Sequence, residues 1–152
     1  MDLIIALIFT FFLLLFAFTT GTIIEKSHYK KLRQKEIELI RLPAVSFGTK
    51  HYKINRPVKK VELVCGEAVI AGDYFKNYVA DLKNMFGGRL TSLESIMDRA
   101  RRQAIVRMKE QAKGANIIIN VRLESSMMNH VDMKNSVTKC AVYAYGTEIT
   151  YE

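Results

Sequence analysis

The side chains best suited to metal chemistry gather in one polar stretch, residues 125–137, between two strand-like runs. Imidazole and carboxylate groups bind transition metals, and thioether sulfur suits Cu(I). Methionine also serves as adaptable packing in loops, so the stretch gives only a weak metal candidate. Its candidate ligands are His130, Asp132, Met127 and Met128.

The two cysteines do not strengthen that candidate. Cys65 and Cys140 are far apart in the sequence and belong to no short Cys or His motif. The residues leave two roles open, a pair across adjacent strands or two small buried hydrophobes, and they fit free cytosolic thiols better than a disulfide framework. The sequence therefore predicts no cofactor, and a metal ion is the alternative.

Catalytic motifs are absent from the sequence. It contains no P-loop, His-Glu-x-x-His, Gly-x-Ser-x-Gly or Cys-x-x-Cys pattern, and these arrangements place metals, nucleophiles or phosphates. We therefore predict that the chain is not an enzyme. A basic cluster at residues 99–103 can approach phosphates, but acidic neighbours dilute it and no nucleic-acid-binding fold signature accompanies it, so nucleic acid is not an expected partner.

A glycine pair marks a chain reversal between two predicted helices. Gly87-Gly88-Arg89 follows a helical pattern that ends at Phe86 and precedes one that begins at Thr91. Glycine adopts positive φ at little cost, which suits a tight turn. Backbone amides at the start of a helix can also bind an anion, with Arg89 adding charge. We predict a structural turn at Gly87, Gly88 and Arg89, with anion binding as the alternative.

The chain begins with an apolar segment long enough to cross a membrane. Residues 3–24 contain no charge, and at about 1.5 Å per residue a helix of this length spans about 33 Å. The segment lacks the basic start of a cleaved signal peptide. No Lys or Arg precedes it and five follow within residues 26–35. This bias predicts a single-pass protein of the bacterial inner membrane, with its N-terminus outside and its C-terminal domain in the cytoplasm.

The sequence divides into three parts. We predict a transmembrane helix over residues 1–24, a juxtamembrane helical stalk over residues 25–42 that Pro43 ends, and a folded domain over residues 43–152. The net charge of +8 is spread along the chain. Such a charge suits an anionic membrane surface, so membrane lipid is an expected partner.

The domain has the pattern of an α+β fold, with strands, two consecutive helices and a final strand pair. Strand-like runs begin near residues 44 and 59. Residues 91–113 carry an apolar stripe at helical spacing, and Gly114 is placed to end that helix. Residues 115–125 alternate like a half-buried strand, with Ile117, Ile119, Val121 and Leu123 on one side.

The last strand-like run, residues 136–152, is apolar on both sides. Cys140 and Val142 lie on one side, and Tyr143 and Tyr145 lie on the other. A domain of this size has little material to cover both faces of a strand. We therefore predict that these four residues form an interface with another copy of the chain.

The order of several short motifs resembles the YbjQ family, whose members are often labelled heavy-metal-binding domain proteins. The motifs are Gly66-Glu67-Ala68, Gly87-Gly88-Arg89, Glu94, Ala100-Arg101, "AKGAN" at residues 112–116 and Gly146-Thr147. None is specific alone, but the ordered set is. The resemblance implies an α+β subunit whose sheet edges assemble into a ring, typically a pentamer, with no settled biochemical role. The apolar helix, a shorter "AKGAN" spacing and a longer 125–137 loop depart from the family pattern.

These features favour a membrane-anchored homo-oligomeric scaffold or sensor with a cytoplasmic ring domain and an unidentified protein partner. One alternative is a heavy-metal-binding protein, as the family label implies. The other is an oligomeric membrane conduit built from clustered anchors. The apolar anchor argues against a conduit, because a water-filled pore needs a polar lining.

Overall fold

The computed structural model describes residues 2–48, 56–72, 91–129 and 138–152. The described elements, in chain order, are α1 (Asp2–Glu38), β1 (Val58–Ala71), α2 (Thr91–Gln111), β2 (Ile117–Asn129) and β3 (Thr138–Tyr151). This arrangement is α+β, as predicted. The first predicted helix of the domain and the Gly87-Gly88-Arg89 turn lie outside the described residues.

The three strands form an antiparallel sheet in the order β1-β3-β2. β3 pairs with β1 from Val58↔Tyr151 to Ala71↔Lys139, and with β2 from Ile117↔Ile149 to Asn129↔Thr138. The C-terminal strand is therefore the centre of the described sheet, and β1 and β2 are its edges.

α2 covers one face of the sheet, over β1 and β3. Its predicted apolar stripe is confirmed, since Ile96, Ala100, Ala104 and Met108 are each 8% exposed or less. The sheet residues packed against this stripe are Val64, Ala68, Cys140, Val142 and Ala144. These small and medium side chains let the helix lie close to the strands.

Two glycines fit this packing. A Cβ on Gly66 would collide with the carbonyl oxygen of Ala104 and the backbone nitrogen of Met108, so the helix backbone lies directly against β1. Gly114 has a φ of 106°, a left-handed conformation that suits glycine and ends helices. The predicted stop of α2 is thereby confirmed.

A β-bulge in β2 reverses the face of the sheet to which the following side chains point. Two residues of β2 lie between Ile119 and Arg122 where β3 has one, and the first of them, Asn120, has a φ of 54°. Asparagine tolerates this region better than most residues. Ile117 and Ile119 therefore face away from α2, whereas Val121 and Leu123 lie on the α2 side. The prediction that these four residues share one face is wrong, because the bulge inverts the alternation.

Residues 43–48, which we call the strap, run along the outer edge of β2. Val45 donates its N–H to the Ile118 carbonyl and accepts from the Val121 N–H, both at 2.9 Å. Ala44 forms one parallel bridge with Ile118. Val45 also packs on a small cluster of Ile117, Ile119 and Ile149. The strand predicted from residue 44 is thus an irregular strap over its described part.

α1 is one uninterrupted helix through the apolar segment and most of the charged one. Within the apolar part, the Thr10 hydroxyl donates to the Ala6 carbonyl at 2.8 Å. Beyond Glu38 the chain tightens, and the Leu42 N–H reaches the Leu39 carbonyl at 3.2 Å. The regular helix therefore ends before the residues that Pro43 restricts, through turns of the type common at helix ends.

Candidate functional site

The predicted metal ligands do not form a site in the described part of the chain. Met127 lies on β2 opposite Cys140, with its side chain 43% exposed. His130, Asp132 and the side chain of Met128 lie outside the described residues. Among the residues that the structure describes, no three His, Cys, Asp or Glu side chains converge to hold a metal ion.

The two cysteines are on opposite faces of the sheet. Cys65 is paired with Tyr145, whereas Cys140 is opposite Ile70, which separates them by about 16 Å along the strands. Both are free thiols. Cys140 is buried under α2, and this burial raises the pKa of its thiol. The alternative of a Cys65–Cys140 pair is therefore wrong, because the register keeps them apart.

The face of the sheet opposite α2 is largely uncovered. Leu63 is 72% exposed, Val69 61%, Val61 56% and Tyr143 43%. Glu67 and Glu124 lie on the same face as the two cross-strand neighbours of Tyr143, so charged side chains border the apolar ones. Exposed apolar side chains grouped on one face and bordered by polar residues mark interaction sites. Together with the half-buried side chains between them, these residues form what we call the open face: Val61, Leu63, Cys65, Val69, Ala141, Tyr143 and Tyr145.

The four residues predicted at a subunit interface divide between the two faces. Cys140 and Val142 are 1% and 2% exposed and belong to the protomer's own core. Tyr143 and Tyr145 lie on the open face, with ring centroids 5.8 Å apart. A hydrogen bond with Cys65 raises the pKa of Tyr143, so its phenol is neutral at physiological pH. The interface prediction now depends on Tyr143 and Tyr145.

Both edges of the sheet are partly capped. On β1, the Cys65 N–H donates to Gln111 Oε1 at 2.7 Å, and Arg107 Nη1 donates to the Glu67 carbonyl at 2.6 Å. Unpaired backbone groups on an edge strand invite pairing with another chain, and here α2 side chains occupy the middle of the edge. On β2 the strap reaches only Val121, and no described segment pairs with the outer edge of residues 122–129.

The charged part of α1 docks on α2. Arg102 donates from Nε and Nη2 to the two carboxylate oxygens of Glu36, at 2.7 and 2.6 Å. Such two-pronged pairs fix orientation as well as adding energy. The guanidinium groups of Arg99 and Arg102 each lie 5.9 Å from the Tyr29 ring centroid, a cation–π distance. We call these four residues the latch.

Local charges shift the titration of groups in this contact. Hydrogen bonding from Arg102 holds the pKa of Glu36 below its ordinary value, and the carboxylate raises the pKa of Arg102 in return. Burial, followed by the charges of Arg99, Lys31 and Arg107, lowers the pKa of His28. The contact therefore combines an ionised pair with a neutral imidazole at physiological pH.

The sequence alone does not indicate the latch, because there residues 99–103 are a basic cluster that can approach phosphates and that acidic neighbours dilute. A signal for it exists. Tyr29 and Glu36 are seven positions apart, which puts them on one face of a helix, and Arg99 and Arg102 are three apart. Matching two such faces requires knowledge of which helices meet.

The comparisons with known proteins identify the same family as the order of motifs in the sequence. Residues 46–152 match the sequence profile of the YbjQ family, which is described as "Putative heavy-metal-binding". The chain belongs to the YbjQ family. This match begins within the strap, so α1 lies outside it. The family was therefore recognisable from the sequence, and its description comes with no established activity.

Relatives in the YbjQ family carry the name UPF0145 protein. One from Hahella chejuensis is 37% identical over 99 residues, covering 62% of this chain and 86% of that protein. One from Acetivibrio thermocellus is also 37% identical over 99 residues, covering 64% and 89%. A crystal structure of a DUF74-family protein of unknown function from Pediococcus pentosaceus is similar with a TM-score of 0.42 at 18% identity, covering 73% of this chain and 98% of that one.

Proposed function

We propose that this YbjQ family member is a membrane-anchored homo-oligomeric scaffold or sensor without catalytic activity. Its α+β domain would form a ring, with five copies as the expected number, on the cytoplasmic side of the bacterial inner membrane. The observation that carries the proposal is apolar surface left uncovered in two separate places, on α1 and on the open face.

The first uncovered surface supports an anchor. Large apolar side chains between Ile4 and Phe16 are each at least 49% exposed. The structure contains one described helix long and apolar enough to cross a membrane, near the N-terminus, and none of its apolar window is buried within the chain. A helix that is apolar all round and unburied in its own protein needs hydrocarbon around it.

The second uncovered surface supports assembly. Arg122, Glu124 and Ser126 of β2 lie between the open face and the uncapped outer edge of residues 122–129. A neighbouring copy that spans this width can contact apolar side chains and pair backbone in one interface. Repeated head to tail, such a contact closes into a ring if the rotation between copies allows it. The partner of this proposal is therefore another copy of the same chain.

The oligomer is tested by the mass of the full chain in mild detergent, measured by native mass spectrometry. We expect five copies for the natural chain and a shift to single copies for the double variant Leu63→Asn, Tyr143→Asn. Ile40→Asn is the matched control, because Ile40 is 73% exposed outside the open face. A natural chain that stays monomeric at high concentration, or a double variant that keeps its mass, contradicts the proposal.

The anchor and its direction are tested separately, with spheroplasts that expose the outer side of the inner membrane. Protease added outside should leave residues 43–152 intact until the membrane is opened. Digestion of the domain in sealed spheroplasts would reverse the proposed orientation, and recovery of the chain in the soluble fraction would remove the anchor. Metal analysis of the untagged chain addresses the family description, and one metal per protomer would contradict a purely structural role.

A further inference from the structure

A groove at the foot of α1 carries an excess of positive charge. It is lined by Tyr29, Lys30, Arg33, Glu36 and Arg102. These residues place three cations and one carboxylate around the same space. A groove of this kind favours an anion over a neutral or cationic ligand.

The carboxylate in the groove is already occupied. Both oxygens of Glu36 accept hydrogen bonds from Arg102, and that contact keeps Glu36 ionised and engaged. Lys30 and Arg33 are exposed, and no described residue forms a salt bridge with either of them. Two of the three cations thus remain available to a ligand.

Arg102 also has one guanidinium nitrogen, Nη1, without a hydrogen-bond partner among the described residues. Its Nη1 lies 3.7 Å from Asp98 Oδ2, which is beyond hydrogen-bond distance. Because Glu36 fixes the guanidinium through its other two nitrogens, Nη1 is held in place at the groove. Planar guanidinium groups with free donors match the oxygens of a phosphate.

The groove lies next to the apolar segment. Lys30 is six residues beyond Ile24, the last residue of that segment, which corresponds to about 9 Å along a helix. Lys26, Lys30 and Arg33 follow one another at spacings of four and three, so they share one side of α1. A helix that enters the bilayer up to Ile24 holds this row at the level of the lipid headgroups.

We propose that the groove binds the phosphate of an anionic lipid headgroup, with Lys30 and Arg33 as the direct ligands and Arg102 Nη1 as a third donor. This inference rests on the proposed membrane anchor. It gives the latch a second role, because the residues that hold α1 on α2 also present the headgroup site. Lipid binding there would orient the domain against the membrane surface.

The test uses the full chain reconstituted in phosphatidylcholine vesicles with and without one-fifth phosphatidylglycerol. Bound lipid is counted by native mass spectrometry after mild extraction, and flotation of the vesicles reports insertion. We expect insertion in both vesicles and selective retention of phosphatidylglycerol. The variant Lys30→Gln, Arg33→Gln should lower that selectivity by at least about fivefold, the effect of one basic side chain near an anionic surface.

The variant Arg56→Gln, Lys59→Gln is the matched control, because it removes one arginine and one lysine at the same spacing, both exposed and neither lining the groove. Thermal unfolding of all three proteins checks that none is misfolded. The control variant should keep the selectivity of the natural chain.

The remaining outcomes separate the two proposals. Insertion without selectivity, or equal loss in both variants, overturns the headgroup site and leaves the anchor standing. Failure to float with either vesicle overturns the anchor and the site together. Displacement of phosphatidylglycerol by millimolar inorganic phosphate would show that the groove takes free phosphate, which overturns the lipid as its ligand.

Discussion

The two faces of the sheet are built from alternate residues of the same strands, and they have opposite fates. On the face under α2, Cys140, Val142 and Ala144 are each 2% exposed or less. On the open face, Tyr143 on the same strand and Leu63 on β1 are 43% and 72% exposed. One face is complete within the protomer. The strap covers the other face only at Ile117, Ile119 and Ile149, and no described segment covers the apolar residues of the open face.

This difference shows how a single strand can serve folding and association together. Residues of β3 that face α2 stabilise the protomer whether or not other copies are present. Residues on the open face gain burial only when something else covers them, at about 25 cal/mol for each Å² of apolar surface. Substitutions on the two faces should therefore separate protomer stability from oligomer mass.

The largest effect on stability should come from adding a side chain where β1 and α2 are in direct backbone contact. Gly66→Ala places a methyl group into the backbone of Ala104 and Met108, so the helix must move, at a cost of about 3 kcal/mol in the free energy of unfolding. Urea unfolding of the full chain in detergent measures this. Gly48→Ala is the control, since a Cβ there has nothing within 4 Å. Equal stability of the two variants would show that α2 does not press on β1.

A second pair of variants compares neighbouring residues on opposite faces. Val142→Asn puts an amide into the packed core and should lower the free energy of unfolding by about 2 kcal/mol or more, from lost apolar burial and an unsatisfied polar group. Tyr143→Asn should change protomer stability by less than about 1 kcal/mol but reduce the oligomer mass. If both variants lose stability alike and neither changes the mass, the distinction between the faces is wrong.

Variants of the latch test how much the contact between α1 and α2 stabilises the folded chain. Arg102→Lys keeps the charge but loses the two-pronged contact with Glu36, with an expected loss of about 1 kcal/mol. The double variant with Glu36→Gln should be less destabilised than the sum of the single ones, since both remove the same pair. Additive losses would mean that the contact contributes nothing.

The smallest effect is a dependence of stability on pH. The pKa of His28 is lowered in the folded chain, so protonation favours unfolding, and stability should begin to fall as the pH drops below about 6.5. The pKa of Glu36 is also lowered. The contribution of its contact is therefore full above the ordinary carboxyl range and is lost as the pH falls through the lowered value.

Two variants separate these pH effects. His28→Gln should flatten the upper part of the pH profile of urea unfolding, and Glu36→Gln should flatten the lower part. A natural profile that both variants reproduce unchanged would show that neither group is coupled to folding.

Short-range pattern was enough for much of the fold. Helical periodicity located the buried stripe of α2, and Gly114 located its end, because both depend on residues a few positions apart. The alternation along β3, which is apolar on both sides, correctly predicted that Tyr143 and Tyr145 lie on the face away from Cys140 and Val142. It did not say which side the protomer itself would cover.

The candidate surfaces depended on contacts between distant residues. The bulge at Asn120 turned Leu123 to the other face of the sheet, and the register between β1 and β3 separated Cys65 from Cys140. The latch joined Glu36 to Arg102 across 66 positions of sequence. None of these is visible in local spacing, since each follows from which segments happen to meet.

The sequence by itself determined the apolar helix, the α+β class, the family and the limits of α2, because periodicity, charge and glycine placement act within a few residues. Only the tertiary structure decided which face of the sheet α2 covers, where the strand alternation inverts and which charges of α1 find partners. The physical reason is that strand register and helix docking are set by packing between segments, whose energies depend on neighbours that the sequence places far apart.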